Sequence, residues 1–239
     1  MSLLVSVRSA EEVAAALAGG ADIIDAKEPA RGPLGAVDPA VLRAIAGRTP
    51  GDVPLSVALG DLGEPAAVRL AVRSMRLPRR RAPIYLKLGF AGVDSLERIE
   101  ELLRVAADAA EGMRLVGVAY ADHAAAGTVA ARDLTTALIA AGAHGLLVDT
   151  WAKQGRGLLD LLSHGEIAAL ARRCRQDGLL FALAGSLDRS SLARVAGLAD
   201  VVGVRGAACR GGRSGTIDPA RVAELRRLAG PGLRALVAG

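Results

Sequence analysis

The stretch LLVSVRSAEEVAAALAGGADIIDAK, residues 3–27, carries the decision about the fold. It opens on the apolar run LLVSV, passes through an Ala/Leu/Glu segment with helical spacing, and returns after two glycines to DIIDAK. The first run is mostly apolar and the second carries the apolar Ile-Ile pair and Ala26, as short buried strands do, so the stretch reads as one β–α–β unit. The pattern then repeats. Further runs are PLSVAL (54–59), IYLKLG (84–89), LVGVAY (115–120), GLLVDT (145–150), LLFALAG (179–185) and DVVGVRG (200–206). Amphipathic segments near 9–19, 38–47, 65–75, 94–110, 131–142, 164–176, 188–197 and 218–229 follow them. Ser9, Asp94 and Asp188 are the expected helix caps.

Eight such units in 239 residues average about 30 residues each, the period of a minimal (β/α)8 barrel. A doubly wound open sheet is the competing arrangement, but it usually has fewer strands, and no GxGxxG follows the first run. No composition break divides residues 1–239, which predicts a single TIM-barrel catalytic domain.

Composition narrows the function classes. Hydrophobic residues make up 51% of the chain, enough for a large core, whereas aromatics are only 2%. That excludes an aromatic-rich sandwich and the base-stacking platforms of RNA-binding modules, so no nucleic-acid partner is expected. The net charge of +5 points to anionic small molecules, phosphates first. The densest basic cluster, Arg76, Arg79, Arg80 and Arg81, has no aromatics interleaved and reads as a solvated loop. Cys174 and Cys209 imply no disulfide framework. With no signal peptide, and no apolar run of the roughly 18 residues a membrane span needs, a cytoplasmic protein is expected. The apolar outer surface expected of an Ala/Leu-rich barrel points to a homo-oligomer.

In a (β/α)8 barrel the chemistry lies at the C-terminal ends of the strands, and interior layers draw on alternate strands. Alternation puts Asp25 and Lys27 on one face, Tyr85 and Lys87 on one face, Leu147 with Asp149, and Gly203 with Arg205. All four runs are even-numbered. Lys27, Lys87, Asp149 and Arg205 then form one ring at the mouth, with Asp25, Tyr85, Leu147 and Gly203 one layer beneath. Lys153 adds a further ammonium at the rim.

Structural salt bridges, Lys27–Asp25 and Lys87–Asp149, are one reading of this ring. The other is chemical: a lysine crowded by cations in a poorly solvated site loses its proton and becomes an amine nucleophile able to form a Schiff base. The turns Ala184-Gly185-Ser186 and Arg205-Gly206 are of the kind that present backbone N–H groups to a phosphate. Residues 209–215, CRGGRSG, read either as a flexible cationic lid or as an ordinary loop. Asp122 and His123 are rim loop residues, His144 belongs to the bottom face and His164 opens a helix. Cys174 reads as structural and Cys209 stands near Arg205 and Arg210. No His/Asp/Glu/Cys set has zinc spacing, and no metal or organic cofactor is expected.

The opening residues 3–36, with YLKLGF (85–90), LLVDTWAK (146–153), ALAGSL (182–187) and VVGVRGAACRGGRSGTI (201–217), resemble the (5-formylfuran-3-yl)methyl phosphate synthases of methanofuran biosynthesis. The resemblance runs through nearly the whole chain. It implies a (β/α)8 barrel that condenses two molecules of glyceraldehyde 3-phosphate into a furan aldehyde phosphate, losing phosphate and water. It further implies Lys27 as the Schiff-base lysine and Lys87 as proton acceptor, with Asp25, Asp149 and Lys153 in support. The phosphate-binding residues Gly185, Ser186, Arg205 and Gly206 rest on the turns and charges read above. A class I aldolase acting on another phosphorylated sugar, and a non-enzymatic phosphosugar-binding barrel, are the alternatives.

Overall fold

The computed structural model describes residues 1–75, 77–153 and 155–230. Eight parallel strands close into a barrel in chain order: β1 (Ser2–Val7), β2 (Ile23–Ala26), β3 (Leu55–Asp61), β4 (Ile84–Gly89), β5 (Arg114–Tyr120), β6 (Gly145–Asp149), β7 (Leu180–Leu183) and β8 (Val201–Val204). Between and after them run α1 (Ala10–Ala18), α2 (Pro39–Arg48), α3 (Pro65–Ser74), α4 (Leu96–Ala109), the short α5 (His123–Ala126), α6 (Ala131–Ala140), the short α7 (Leu158–Leu161), α8 (His164–Gln176), α9 (Arg189–Arg194) and α10 (Pro219–Ala229). The fold is a (β/α)8 barrel, closed by β8 pairing with β1, Gly203 opposite Leu4.

Parity along each strand sorts the apolar residues into two separate cores. Outward-facing Leu3, Val5, Ile24, Leu55, Val57, Leu86, Leu88, Leu146, Val148, Leu183 and Val202 join the helices in one continuous cluster. Inward-facing Ile23, Ala58, Tyr85, Val116, Val118, Tyr120, Leu147, Ala182 and Val201 form a second, smaller one. Leu34, from the loop after β2, folds over the mouth to join it.

The helix caps differ in part from expectation. Asp188 caps α9 through Ser191 N–H as expected (2.9 Å). Ser9 holds the N-cap position of α1 without a side-chain cap bond. Asp94 is displaced by Ser95, whose Oγ accepts from Arg98 N–H at 3.2 Å. The basic cluster also departs from a solvated loop. Arg79 and Arg81 are exposed, but Arg80 donates to the carbonyls of Ala46, Thr49, Pro50 and Val53, satisfying the C-terminal end of α2. Arg76 lies outside the described residues.

Segment 209–215 is built as structure rather than as a free lid. β9 (Cys209–Arg210) and β10 (Thr216–Ile217) pair antiparallel around a short 3-10 turn. Among the described residues no helix is long and apolar enough to cross a membrane. The large apolar side chains exposed there are Leu70 and Leu228, so the outer surface is less apolar than the composition suggests.

Candidate active site

Small residues leave the barrel axis hollow. Ser6, Ser56, Ala182, Ala184 and Gly203 line a cavity of about 330 Å3 that opens at the C-terminal ends of the strands. Lys27, Lys87, Asp25, Asp149, Lys153, Gly185, Ser186, Arg205 and Gly206 all border it. The structure therefore brings every sequence-derived site residue to one cavity. Its floor is apolar: Leu4, Ile23, Val116, Leu147 and Val201.

The pairing among the charges is not the one that adjacency along the strands suggests. Lys87 Nζ lies 2.7 Å from Asp25 Oδ1, and Ser6 Oγ donates to Asp25 Oδ2 at 2.7 Å. Lys153 Nζ reaches back four residues to Asp149 Oδ1 and also touches Thr150 Oγ1 at 3.2 Å. The expected pairs Lys27–Asp25 and Lys87–Asp149 are thus replaced by Lys87–Asp25 and Lys153–Asp149. Lys27 is left with no ion pair among the described residues, though it is buried.

The electrostatics follow from that arrangement. Burial drives the Lys27 ammonium down to about 8. Asp149 and Asp25 oppose the shift, while Lys87 and Lys153 add to it. Burial works to raise both cavity carboxyls, but cations outweigh it. Lys87 and Lys27 hold Asp25 below the usual carboxylate range, and Lys153 and Lys27 do the same for Asp149. An amine with no ion pair, near two ionised carboxylates, is a neutralisable nucleophile next to groups that accept protons.

Arg205 departs from its expected place in the ring. Its Nε donates to Arg213 O, Nη1 to Ser6 O and Glu12 Oε2, and Nη2 to Glu12 Oε1 and Gly215 O. All five N–H donors are taken, so its side chain ties α1, β1 and the β9–β10 hairpin together and has none left for an anion. The available cation is Arg213, which borders the cavity and donates from Nη2 to Gly32 O at 2.7 Å. Arg213 belongs to the cationic 209–215 segment.

The glycine turns keep their expected position. Gly185 has φ +99° and Ser186 has φ +55°. A Cβ at Gly185 would press on Thr150 Cγ2 at 2.9 Å, so the turn requires glycine. Among the described residues the backbone N–H groups of Gly185, Ser186, Gly206 and Ala207 have no protein acceptor, and all four residues border the cavity. Such N–H groups suit an anion.

A polar group behind the rim had no place in the sequence reading. Tyr120 Oη donates to Asp61 Oδ1 at 2.8 Å, and Ala91 N–H donates to the same oxygen at 3.0 Å. Burial raises both the Asp61 carboxyl and the Tyr120 hydroxyl above their usual values. Tyr120 meets Trp151 edge-on, ring centres 5.4 Å apart. Asp122 accepts from Trp151 N–H (2.6 Å) and Ala152 N–H (2.9 Å). Together these fix the loop that carries Lys153. A register irregularity between Ala58 and Gly60 swings Asp61 over Gly89. A Cβ at Gly89 would land on the Asp61 carboxylate and on Leu34, which accounts for the glycine of the Lys87-Leu88-Gly89 motif.

His144 sits at the opposite end, where its Nδ1 accepts from Leu115 N–H (3.3 Å). His164 begins α8 behind the Ser163–Glu166 capping box. Cys174 and Cys209 are buried, and burial raises both thiols, Cys174 to about 12. Among the described residues no cluster of three His, Cys, Asp or Glu is placed to hold a metal ion.

Comparison with known proteins bears on the whole chain and on its barrel. The profile of the 4-HFC-P synthase family matches residues 3–226. The (5-formylfuran-3-yl)methyl phosphate synthase of Methanocaldococcus jannaschii is 36% identical over 236 residues, 95% of this chain and 99% of that one. A putative enzyme of the same name from Methylorubrum extorquens is 37% identical over 224 residues, covering 93% and 89%. Among solved structures, phosphoribosyl anthranilate isomerase of Thermotoga maritima superimposes with TM-score 0.63 at 15% identity, covering 96% and 98%. A 3-hexulose-6-phosphate synthase does so with TM-score 0.56 at 18% identity, covering 95% and 99%. These two likenesses concern the barrel alone.

Proposed function

The chain belongs to the 4-HFC-P synthase family, and from that premise we propose that it condenses two molecules of glyceraldehyde 3-phosphate into (5-formylfuran-3-yl)methyl phosphate. One phosphate and water are lost, and the reaction runs in the cytoplasm through a Schiff base on Lys27 without a metal. The observation that carries the reading is Lys27 itself, buried, without an ion pair and shifted down to about 8. The cavity's other lysines, Lys87 and Lys153, are held by carboxylates.

In this scheme the neutral Lys27 amine adds to the aldehyde of one triose phosphate and expels water as the iminium forms. The iminium acidifies the adjacent C–H, and the Lys87–Asp25 pair takes that proton. The resulting enamine attacks the aldehyde carbon of the second triose phosphate, forming the new carbon–carbon bond. Lys153 and Asp149, hydrogen-bonded to each other, give and take protons during dehydration and ring closure. One phosphate rests on the N–H groups of Gly185, Ser186 and Gly206, with Arg213 supplying the charge first assigned to Arg205. Transimination or hydrolysis returns Lys27 to its amine.

The test is incubation with glyceraldehyde 3-phosphate alone, following ultraviolet absorbance and free phosphate. Borohydride reduction and peptide mapping accompany it. Furan absorbance, phosphate release and an adduct on Lys27 are expected. An acyclic sugar phosphate would make the protein an aldolase, and an adduct on Lys87 would exchange the two lysine roles.

A further inference from the structure

Ser56 has no part in that chemistry, yet it occupies a distinctive place on the cavity wall. It is 1% exposed. Among the described residues its Oγ is a buried polar atom with neither a hydrogen bond nor an ion pair. Asp25 Oδ1, the other buried cavity atom without a hydrogen bond, faces the Lys87 ammonium. The groups flanking Ser56 are already engaged. In register it stands opposite Asp25 on β2 and Tyr85 on β4. Asp25 holds Ser6 and Lys87, and Tyr85 Oη accepts from Arg114 Nη1 at 3.2 Å. Ser56 lines the cavity, and alternation gives it the inward parity of Ala58, the register partner of Lys87. It therefore lies one step below the two reactive lysines.

An unpaired buried hydroxyl costs stability, and alanine would fill the same space without that cost. A hydroxyl kept under those conditions, facing an open cavity beside the reacting groups, is placed for a ligand. We infer that Ser56 is a specificity-determining contact whose hydroxyl pairs with the secondary hydroxyl of the bound triose phosphate. This rests on the reading in which the phosphate sits at the Gly185 and Gly206 turns and the carbon chain descends toward Lys27. The carbon next to the one joined to Lys27 carries the hydroxyl, and Ser56 is on the adjoining strand one step deeper. A ligand with a methylene at that carbon leaves Ser56 unpaired and is discriminated against.

Glycerol 3-phosphate and 3-hydroxypropyl phosphate test this, since they differ only in the secondary hydroxyl and need no Schiff base. Calorimetric titration of the parent protein should show a roughly fivefold to tenfold preference for glycerol 3-phosphate, the worth of one neutral hydrogen bond. Ser56→Ala should bind the two equally, with the loss confined to glycerol 3-phosphate. The ligand-free variant should melt at or above the parent temperature, because the hydroxyl removed has no partner in the fold. A lowered Tm, an equal loss for both ligands, or a retained preference in Ser56→Ala would overturn the inference alone. Failure of both esters to bind the parent would overturn the phosphate-pocket reading, and the inference with it. A normal preference in a protein that gives no Lys27 adduct with glyceraldehyde 3-phosphate would leave the subsite standing and remove the Schiff base.

Discussion

The two faces of the same eight strands are built to opposite ends. On β4, Leu86 and Leu88 point outward into a continuous apolar core, while Tyr85 and Lys87, alternating with them, point into the barrel. The outer face is packed with branched and aromatic side chains that interlock with the helices. The inner face sets Ala, Ser and Gly around a cavity, over an apolar floor of Leu4, Ile23, Val116, Leu147 and Val201 and with ions above. The inside keeps an open volume and tolerates an unpaired buried amine and an unpaired hydroxyl. A residue's parity, more than its burial, decides what its loss does.

The largest effect expected from breaking this division is at Lys27. Lys27→Met should abolish furan formation by several orders of magnitude in an absorbance assay, yet raise Tm, because a buried amine without a partner is removed. A lowered Tm would place Lys27 among the structural residues.

Asp25→Ala and Leu86→Ala form the next contrast. The first strands Lys87 without its counter-ion and should cost about 3–5 kcal/mol in urea unfolding, with activity lost. The second opens a void in the outer core and should cost about 2–5 kcal/mol, with activity per folded molecule nearly intact.

A smaller effect is expected from filling the hollow. Ala182→Leu should change stability by under about 1.5 kcal/mol, since the added methylenes enter open volume, whereas overpacking a dense core costs about 1–3 kcal/mol. The same substitution should raise KM for the triose phosphate.

The smallest is a pH effect. The folded Lys27 value of about 8 lies below its ordinary 10.5, so the unfolded chain binds more protons between those limits. The Lys27 contribution to stability therefore rises from about pH 8 to 10.5 and is flat below 8. Activity should rise with pH through the same folded value. In Lys27→Met, the change in this part of the stability profile relative to the parent isolates the lysine's contribution.

The fold was legible because a repeating unit needs only its period to be read: all eight runs are strands, with ends shifted by a few residues. Lys27, Lys87 and Asp149 were legible by parity at strand ends. Ser6 and Ser56 carried the same signal, a polar residue at inward parity in an apolar run, but serine attracts less notice than lysine. The partners were not legible. Which carboxylate Lys87 chooses depends on side-chain reach across strands, and Arg205 is drawn from the ring by Glu12, 193 positions away. Neither separation leaves a trace in local pattern. The position of Arg213 was not legible for the same reason, since it follows from how the hairpin folds back over Gly206.

The Arg205 clasp also sets an order in time. Its partners Ser6 and Glu12 are made first, at the start of the chain, and the arginine that binds them near its end. During synthesis the first strand waits with one edge open until β8 emerges from the ribosome. Until then the barrel has no closed interior, Lys27 stays in water, and its amine remains an ordinary ammonium that aldehydes do not modify readily. The lowered value of Lys27 thus depends on the closure that the last strand completes.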